Sequence, residues 1–443
     1  MKKVILWGIP SALTIYLVYF IIQNALDLPH ADMWQFTDLA AGIQSLSWDY
    51  LWQQHNEHRV IWQKLFVYVW ARLTHWDFYL SSFIPGFFLI VSVFIVLLEL
   101  KKKYAKKSFV WLVLLFLGVS CLFLSLAHWD TILISFQMSW SSTVILLILF
   151  DLYFRKFLSH DKHWLKLIVI ITITAFIHAQ GLVIGFYLTG YFLLSLLFKE
   201  KINKKFYLLL GTSIIITVAY LYNYKMGNQG LDPFLFVKNP FEAIAYCGGF
   251  IGNAFAQTRN PYFVLIYLLF LIPSFSYSFY LNYKTSKLKS IIYLYRENPL
   301  IVLGALIMLV VMVGRLENGI YQAASPRYVT FSLILNIGIW LYIISAWEKH
   351  RVPFKKHLVT VFSLLGLFAY VIGMTGYYSG LSGGLVYGGK KLMDNRRSYH
   401  DCILSHPNDY RKCDRWAHDV YPDNDYLYKK LDILKKHRLS LFK

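Results

Sequence analysis

"MKKVILWGIPSALTIYLVYFIIQNALDLPHAD", residues 1–32, opens with two lysines and runs through a long apolar stretch before its first acids. Cleavable signal peptides and first membrane spans both start this way. Here the apolar stretch is too long for a signal peptide and lacks a small-residue cleavage site, so it reads as a retained first span. The composition agrees with that reading. Of 443 residues, 57% are hydrophobic and 18% aromatic, which excludes a soluble domain and a disordered chain.

Apolar runs able to cross a bilayer, roughly 20 residues each, recur along the chain. Read between polar breaks they give about eleven spans: 4–25, 79–100, 108–127, 141–158, 165–178, 182–198, 206–222, 261–281, 299–314, 328–346 and 358–376. The expected fold is therefore an all-α polytopic membrane protein. The fifth and sixth spans are short and joined by "IHAQGL". Lys and Arg set the orientation: with the N-terminus in the cytoplasm, inner segments hold 23, outer loops eight and the tail 13. The positive-inside rule then keeps the N-terminus inside, and an odd number of spans puts the tail outside. This asymmetry also accounts for the net charge of +20 without nucleic acid as a partner.

The division is 1–376 as the membrane domain, with outer loops 26–78, 127–140, 223–260 and 314–328, and 377–443 as a small extracytoplasmic tail. Cys402 and Cys413 in that tail could close a disulfide, while Cys121 and Cys247 read as apolar packing residues. The spans read as free of Lys, Arg, Asp and Glu at their centres, which argues against an ion-coupled transporter and turns attention to the outer face.

The first outer loop is crowded. It offers Asp27, Asp32, Asp38, Asp49, Glu57 and Asp77, with His30, His55, His58 and His75 among tryptophans that include Trp34, Trp48, Trp52 and Trp62. Indoles there normally anchor at the membrane surface, but that does not explain the acids. Asp32 follows span one closely, so it is held near headgroup depth. A carboxylate there could be a general base toward a hydroxyl, more so if partial burial raises its pKa; Asp38 is its backup. In "HNEHR", residues 55–59, His55 and His58 flank Glu57 without the spacing of an HExxH site or an identifiable third ligand. The cluster could orient a phosphate or sugar, bind a metal, or serve as a structural network.

Arginines in outer loops run against the positive-inside bias: Arg59, Arg259, Arg315 and Arg327. A guanidinium grips phosphate through paired hydrogen bonds, and lipid-headgroup anchoring is the alternative. "AHWDTILISFQMSWSS" adds His128, Trp129, Asp130 and Gln137, and "IHAQG" adds His178 and Gln180.

With an acid soon after span one, "HNEHRVIWQKL", "WDTILISFQMSW", "HAQGL" and "ASPRYVTFS", the chain resembles bacterial membrane glycosyltransferases of the GT-C class over most of residues 1–376. Within the class it looks most like the serotype-converting O-antigen glucosyltransferases. The resemblance implies a GT-C-like fold in the bacterial inner membrane. It also implies inverting transfer of a hexose, expected to be glucose, from a polyprenyl-phosphate donor to a polysaccharide hydroxyl at the periplasmic face. By position the base matches Asp32, with Asp38 and Glu57 as the other acids. Arg59, Arg315 or Arg327 would neutralise the leaving phosphate, and Trp34, His55, His58, Gln137, His178 and Gln180 would meet the sugars. "HADMW" departs from the double-acid version of the family's first-loop motif, with one carboxylate and His30 in place of a nearby acid. A lone carboxylate makes a poor cation site, so a divalent metal is not required on this reading. The partners are the donor lipid, a glycan acceptor and the bilayer. A polysaccharide ligase or polymerase using a lipid pyrophosphate, and a lipid-sugar transporter, are the competing expectations.

Overall fold

The computed structural model describes residues 2–56, 58–225, 234–257, 260–353, 355–379 and 389–443. Among these the chain is helical, without a strand; one isolated bridge pairs His55 with His58. Nine stretches are long and apolar enough to cross a membrane: Val4–Asn24, Phe78–Lys103, Phe109–Leu133, Ala179–Leu197, Lys204–Leu221, Pro261–Ser286, Pro299–Asn318, Pro326–Lys349 and His357–Tyr378. The chain is thus an all-α, multi-pass membrane protein by length and composition.

We number the helices used below α1 (Lys2–Asn24), α2 (Ile61–Thr74), α3 (Phe83–Lys103), α4 (Phe109–Phe123), α5 (Met138–His160), α6 (Trp164–Ile177), α7 (Val183–Leu197), α8 (Lys204–Leu221), α9 (Pro240–Ile251), α10 (Pro261–Ser286), α11 (Pro299–Arg315), α12 (Pro326–Lys349), α13 (Lys355–Tyr378), α14 (Gly389–Ser405) and α15 (Asn424–His437). The two expected spans missing from the nine are α5 and α6. Both are helices, but α6 has only 14 residues and α5 carries Asp151, Arg155 and Lys156. The expectation of charge-free span centres is corrected here. Asp151 is buried inside α5, where it accepts a hydrogen bond from Arg155 Nη2 at 2.6 Å.

Contacts between helix ends fix the direction of each helix. At one end, which we call the loop end, Asn24 at the close of α1 meets Tyr377 of α13 at 2.8 Å, and His178 after α6 stacks on His58 of the first loop. At the far end Lys205 pairs with Asp161 at 2.9 Å and Lys289 with Glu200 at 3.4 Å. Eleven helices, α5 and α6 included, therefore alternate between the two ends.

Small residues let the central helices touch. A Cβ on Gly304 of α11 would lie 2.6 Å from the Leu335 backbone of α12, and one on Gly366 of α13 would lie 2.7 Å from the Gly118 carbonyl of α4. Close backbone approach of this kind is how helices pack where solvent supplies no hydrophobic drive. Buried polar side chains add directionality: Ser332 donates to Asn253 Oδ1 at 2.7 Å, and Asn336 Nδ2 to the Ile251 carbonyl at 2.9 Å, joining α12 to α9 and the turn after it.

The tail is not an appendage. Leu28, Met33, Trp34, Phe36, Leu39 and Val67 of the first loop share one apolar core with Tyr399, Ile403, Cys413, Leu427, Leu431 and Leu434 of the tail. Polar ties hold the same unit together: Lys430 to Asp38 at 2.8 Å, Lys443 to Asp27 at 2.6 Å, and the Ser440 amide to the His75 carbonyl at 2.8 Å. Cys402 and Cys413 are bonded. That bond uses both thiolates that, with His406, make the one His/Cys/Asp/Glu cluster among the described residues with metal-ligand geometry.

Candidate active site

Where this loop-and-tail unit meets the helix ends, polar side chains from the turns that follow α1, α4 and α6 and from the start of α12 come together, an arrangement we call the cleft for short. A short 3-10 helix over Ala31–Phe36 sends Met33, Trp34 and Phe36 into the extramembrane core and leaves Asp32 half-exposed on the opposite side. The His55–His58 bridge forms a tight turn with Asn56 at φ 49°. It brings Asn56 Nδ2 to 3.3 Å and His55 Nε2 to 3.9 Å from Asp32 Oδ2.

Burial pushes the Asp32 carboxyl up. His55 and the charges of Arg327 and His58 outweigh burial and hold it below the ordinary carboxylate value. The expectation of a burial-raised pKa is therefore reversed, and Asp32 is a fully ionised acceptor at neutral pH.

Arg327, at the first turn of α12, acts electrostatically on Asp32, Asp130 and Tyr246. Its guanidinium forms no hydrogen bond or ion pair with the described residues, and its Nε is buried. Asp130, in the turn after α4, interacts with both Arg327 and Arg396. A second group of rings continues the cleft: His178 lies 4.2 Å from His58 and 5.0 Å from Trp140, which stacks at 4.5 Å on Phe331. Arg315 and Gln180 sit beside His178. The turn that carries His178 depends on Gly181, where a Cβ would lie 2.0 Å from the Thr174 carbonyl.

Buried polar atoms without a hydrogen-bond partner gather here: His30 Nδ1, His128 Nε2, Gln137 Oε1, Gln180 Oε1, Tyr246 OH and Arg327 Nε. Buried polar groups are normally paired; such atoms also occur elsewhere in the molecule, Tyr104 OH, Arg155 Nε and Arg296 Nε among them, so here they accompany the Asp32–Arg327 arrangement and do not by themselves mark a site.

The sequence-selected residues divide sharply. Asp32 interacts with His55, His58 and Arg327, His178 interacts with His58, Gln180 and Arg315, and Gln137 follows Phe136, whose ring packs 5.8 Å from His55. Glu57 and Arg259 lie outside the described residues. Three assignments are corrected. Arg59 is buried and cannot offer a phosphate clamp: its Nε donates to the Tyr220 carbonyl at 2.7 Å and its two Nη groups to the carbonyls of Trp52 and Tyr222. It is a staple that ties the first loop to α8. Asp38 is paired with Lys430 of the tail, away from the cleft. Trp34 is fully buried in the extramembrane core and presents no face to a sugar.

Sequence reasoning missed Arg396. It is 3% exposed, reaches from the tail to the Leu28 carbonyl at 3.3 Å, and acts on His30 and Asp130. Burial pushes its guanidinium down to about 10, with the Asp130 charge opposing that. Burial, followed by Arg396 and Arg327, pushes the His30 imidazole well below its ordinary value, so it is neutral at pH 7. Nothing in a tail read as separate signals this contact. Asp130 did carry a signal, as the lone acid of the turn after α4.

Compared with protein-family models, curated proteins and solved structures, the chain matches none.

Proposed function

We propose that the chain is a polyprenyl-phosphate-sugar-dependent hexosyltransferase of the GT-C class, working at the periplasmic face of a bacterial inner membrane with its N-terminus in the cytoplasm. The observation that carries this reading is an ionised carboxylate, Asp32, within electrostatic reach of a guanidinium, Arg327, that has no hydrogen bond or ion pair among the described residues, both at the end of the helix bundle.

Each group has a task the reaction needs. The acceptor hydroxyl gives its proton to Asp32 as its oxygen forms a bond to the anomeric carbon. The bond from that carbon to the phosphate oxygen breaks on the opposite side, so the configuration inverts. The phosphate leaves with an added negative charge. Arg327 meets that charge through bidentate hydrogen bonds, with Arg315 close by; such interactions strengthen as charge develops. His55 and Asn56 hold the Asp32 carboxylate in place, and Trp140, His58, His178 and Gln180 offer ring faces and amide groups to sugar.

Two arginines acting on Tyr246 also favour a second reading, a ligase or polymerase with a pyrophosphate donor. Purified protein separates them. Given the acceptor glycan together with polyprenyl-phosphate hexose or a polyprenyl-pyrophosphate oligosaccharide, it should move the hexose to the glycan and release polyprenyl phosphate from the first donor, and leave the second intact. The reverse result would replace the first reading with the second.

A further inference from the structure

The tail carries a second concave surface that shares no residue with the transfer cleft. It has a volume of about 490 Å³ and is walled by Tyr410, Tyr428, Asp409, Asp432, Arg411 and Lys435, with Pro407 and Asn408 at its rim. The Tyr410 and Tyr428 rings lie 6.4 Å apart, tilted by 30°. Both hydroxyl oxygens are buried without a hydrogen-bond partner. Burial, with the Asp432 carboxylate beside it, pushes the Tyr410 hydroxyl up to about 12, so it stays a protonated donor. The rim is held in shape: Lys435 Nζ ties the Pro407 carbonyl at 3.0 Å and Asn408 Oδ1 at 2.6 Å, and the Cys402–Cys413 bond closes the segment that contains it.

The chemistry of this surface is specific. Two carboxylates balance two cations, so it is not an anion site, and a polyanion or an anionic headgroup would find as much repulsion as attraction. Carboxylates, an amide and unpartnered hydroxyls beside aromatic rings suit a neutral ligand with many hydroxyls and apolar C–H faces. We propose that this cleft is a carbohydrate subsite that holds a length of the acceptor glycan outside the transfer centre. The acceptor role rests on the transferase reading; the sugar binding does not.

The test uses full-length protein in nanodiscs. The probe is the two-repeat oligosaccharide released from the surface polysaccharide of cells that carry this chain, and binding is read by saturation-transfer NMR and calorimetry. Wild type and Asp32→Asn should bind alike, while Tyr428→Ala and Asp432→Asn should bind about tenfold more weakly or worse, as expected when buried hydrogen bonds and a ring face are lost. Tyr428 is only half-buried and Asp432 is exposed, and an unchanged melting temperature confirms that the variants fold. No binding by wild type, or equal binding by the Tyr428 and Asp432 variants, overturns the proposal. So does the same dependence on these residues for phosphatidylglycerol vesicles. If wild type binds through this cleft but never transfers a hexose, the transferase reading falls and the subsite stands.

Discussion

At the far end of the bundle Arg155 holds Asp151 at 2.6 Å, Lys205 holds Asp161 at 2.9 Å and Lys289 holds Glu200 at 3.4 Å. At the loop end Arg327 has no hydrogen-bond or ion-pair partner among the described residues, and buried atoms of His30, His128, Gln137, Gln180 and Tyr246 are unpartnered as well. Of the far-end pairs only Arg155–Asp151 takes a carboxylate out of water, since Lys205–Asp161 and Lys289–Glu200 lie at the surface; a charge out of water is costly unless it is paired. At the far end the charged side chains are paired with one another, although Arg155 Nε, Arg296 Nε and Tyr104 OH are buried there without a hydrogen-bond partner. The loop end differs in its guanidinium: Arg327 has no carboxylate within ion-pair distance among the described residues, as in a site whose partner is a substrate.

Paired removals of arginine sharpen this contrast most. Arg327→Met should lower transfer by about 10²–10³-fold, the scale of losing one transition-state donor, with a smaller loss of stability than Arg155→Ala, because Arg327 gives up its contact with the Tyr328 ring and its attraction to Asp32 and Asp130 but no hydrogen bond or close ion pair among the described residues. Arg155→Ala should do the opposite. It strands the buried Asp151 carboxylate, costs about 3 kcal/mol of stability, and leaves the turnover of folded molecules intact. A loss of folding in Arg327→Met equal to that in Arg155→Ala would erase the distinction between the two ends.

Arg396 tests whether the tail belongs to the site. Arg396→Gln keeps a donor for the Leu28 carbonyl but removes the charge beside His30 and Asp130, and we expect turnover to fall roughly tenfold, a few hydrogen-bond equivalents at most. Full activity would make Arg396 a packing residue.

The smallest effects concern Asp38 and the titration of Asp32. Asp38→Ala breaks the tie to Lys430 and should cost roughly 1–2 kcal/mol with transfer unchanged, which would remove Asp38 as a rival base. The pH profile follows from Asp32. A carboxyl held below its ordinary value of about 3.9 is ionised throughout the neutral range. Its contribution should therefore be flat there and be lost only as pH falls through that lowered value. An acid limb near pH 6 would mean that a different group is the base.

The helices were legible because a bilayer demands long apolar runs, and nine of the eleven expected spans are long and apolar enough to cross one. The short hairpin at "IHAQGL" was legible too, but its dependence on Gly181 was not, because only the folded turn brings the Thr174 carbonyl so near. Asp32 could be singled out by its fixed distance from a span end. Arg59 and Arg327 look alike in sequence; whether a guanidinium meets backbone carbonyls or an open cleft is decided by partners far along the chain, Tyr220 and Tyr222 in one case and Asp32 and Asp130 in the other. The same distance hid the tail, whose apolar residues find their core in residues 28–78.

The most direct test is glycan mass and linkage analysis on cells expressing wild type or Asp32→Asn at matched membrane levels. The account predicts an added hexose with wild type and none with Asp32→Asn, since a positioned base contributes about 10²–10⁴-fold. Equal addition by both would contradict Asp32 as the base, and no addition by wild type would contradict transfer itself.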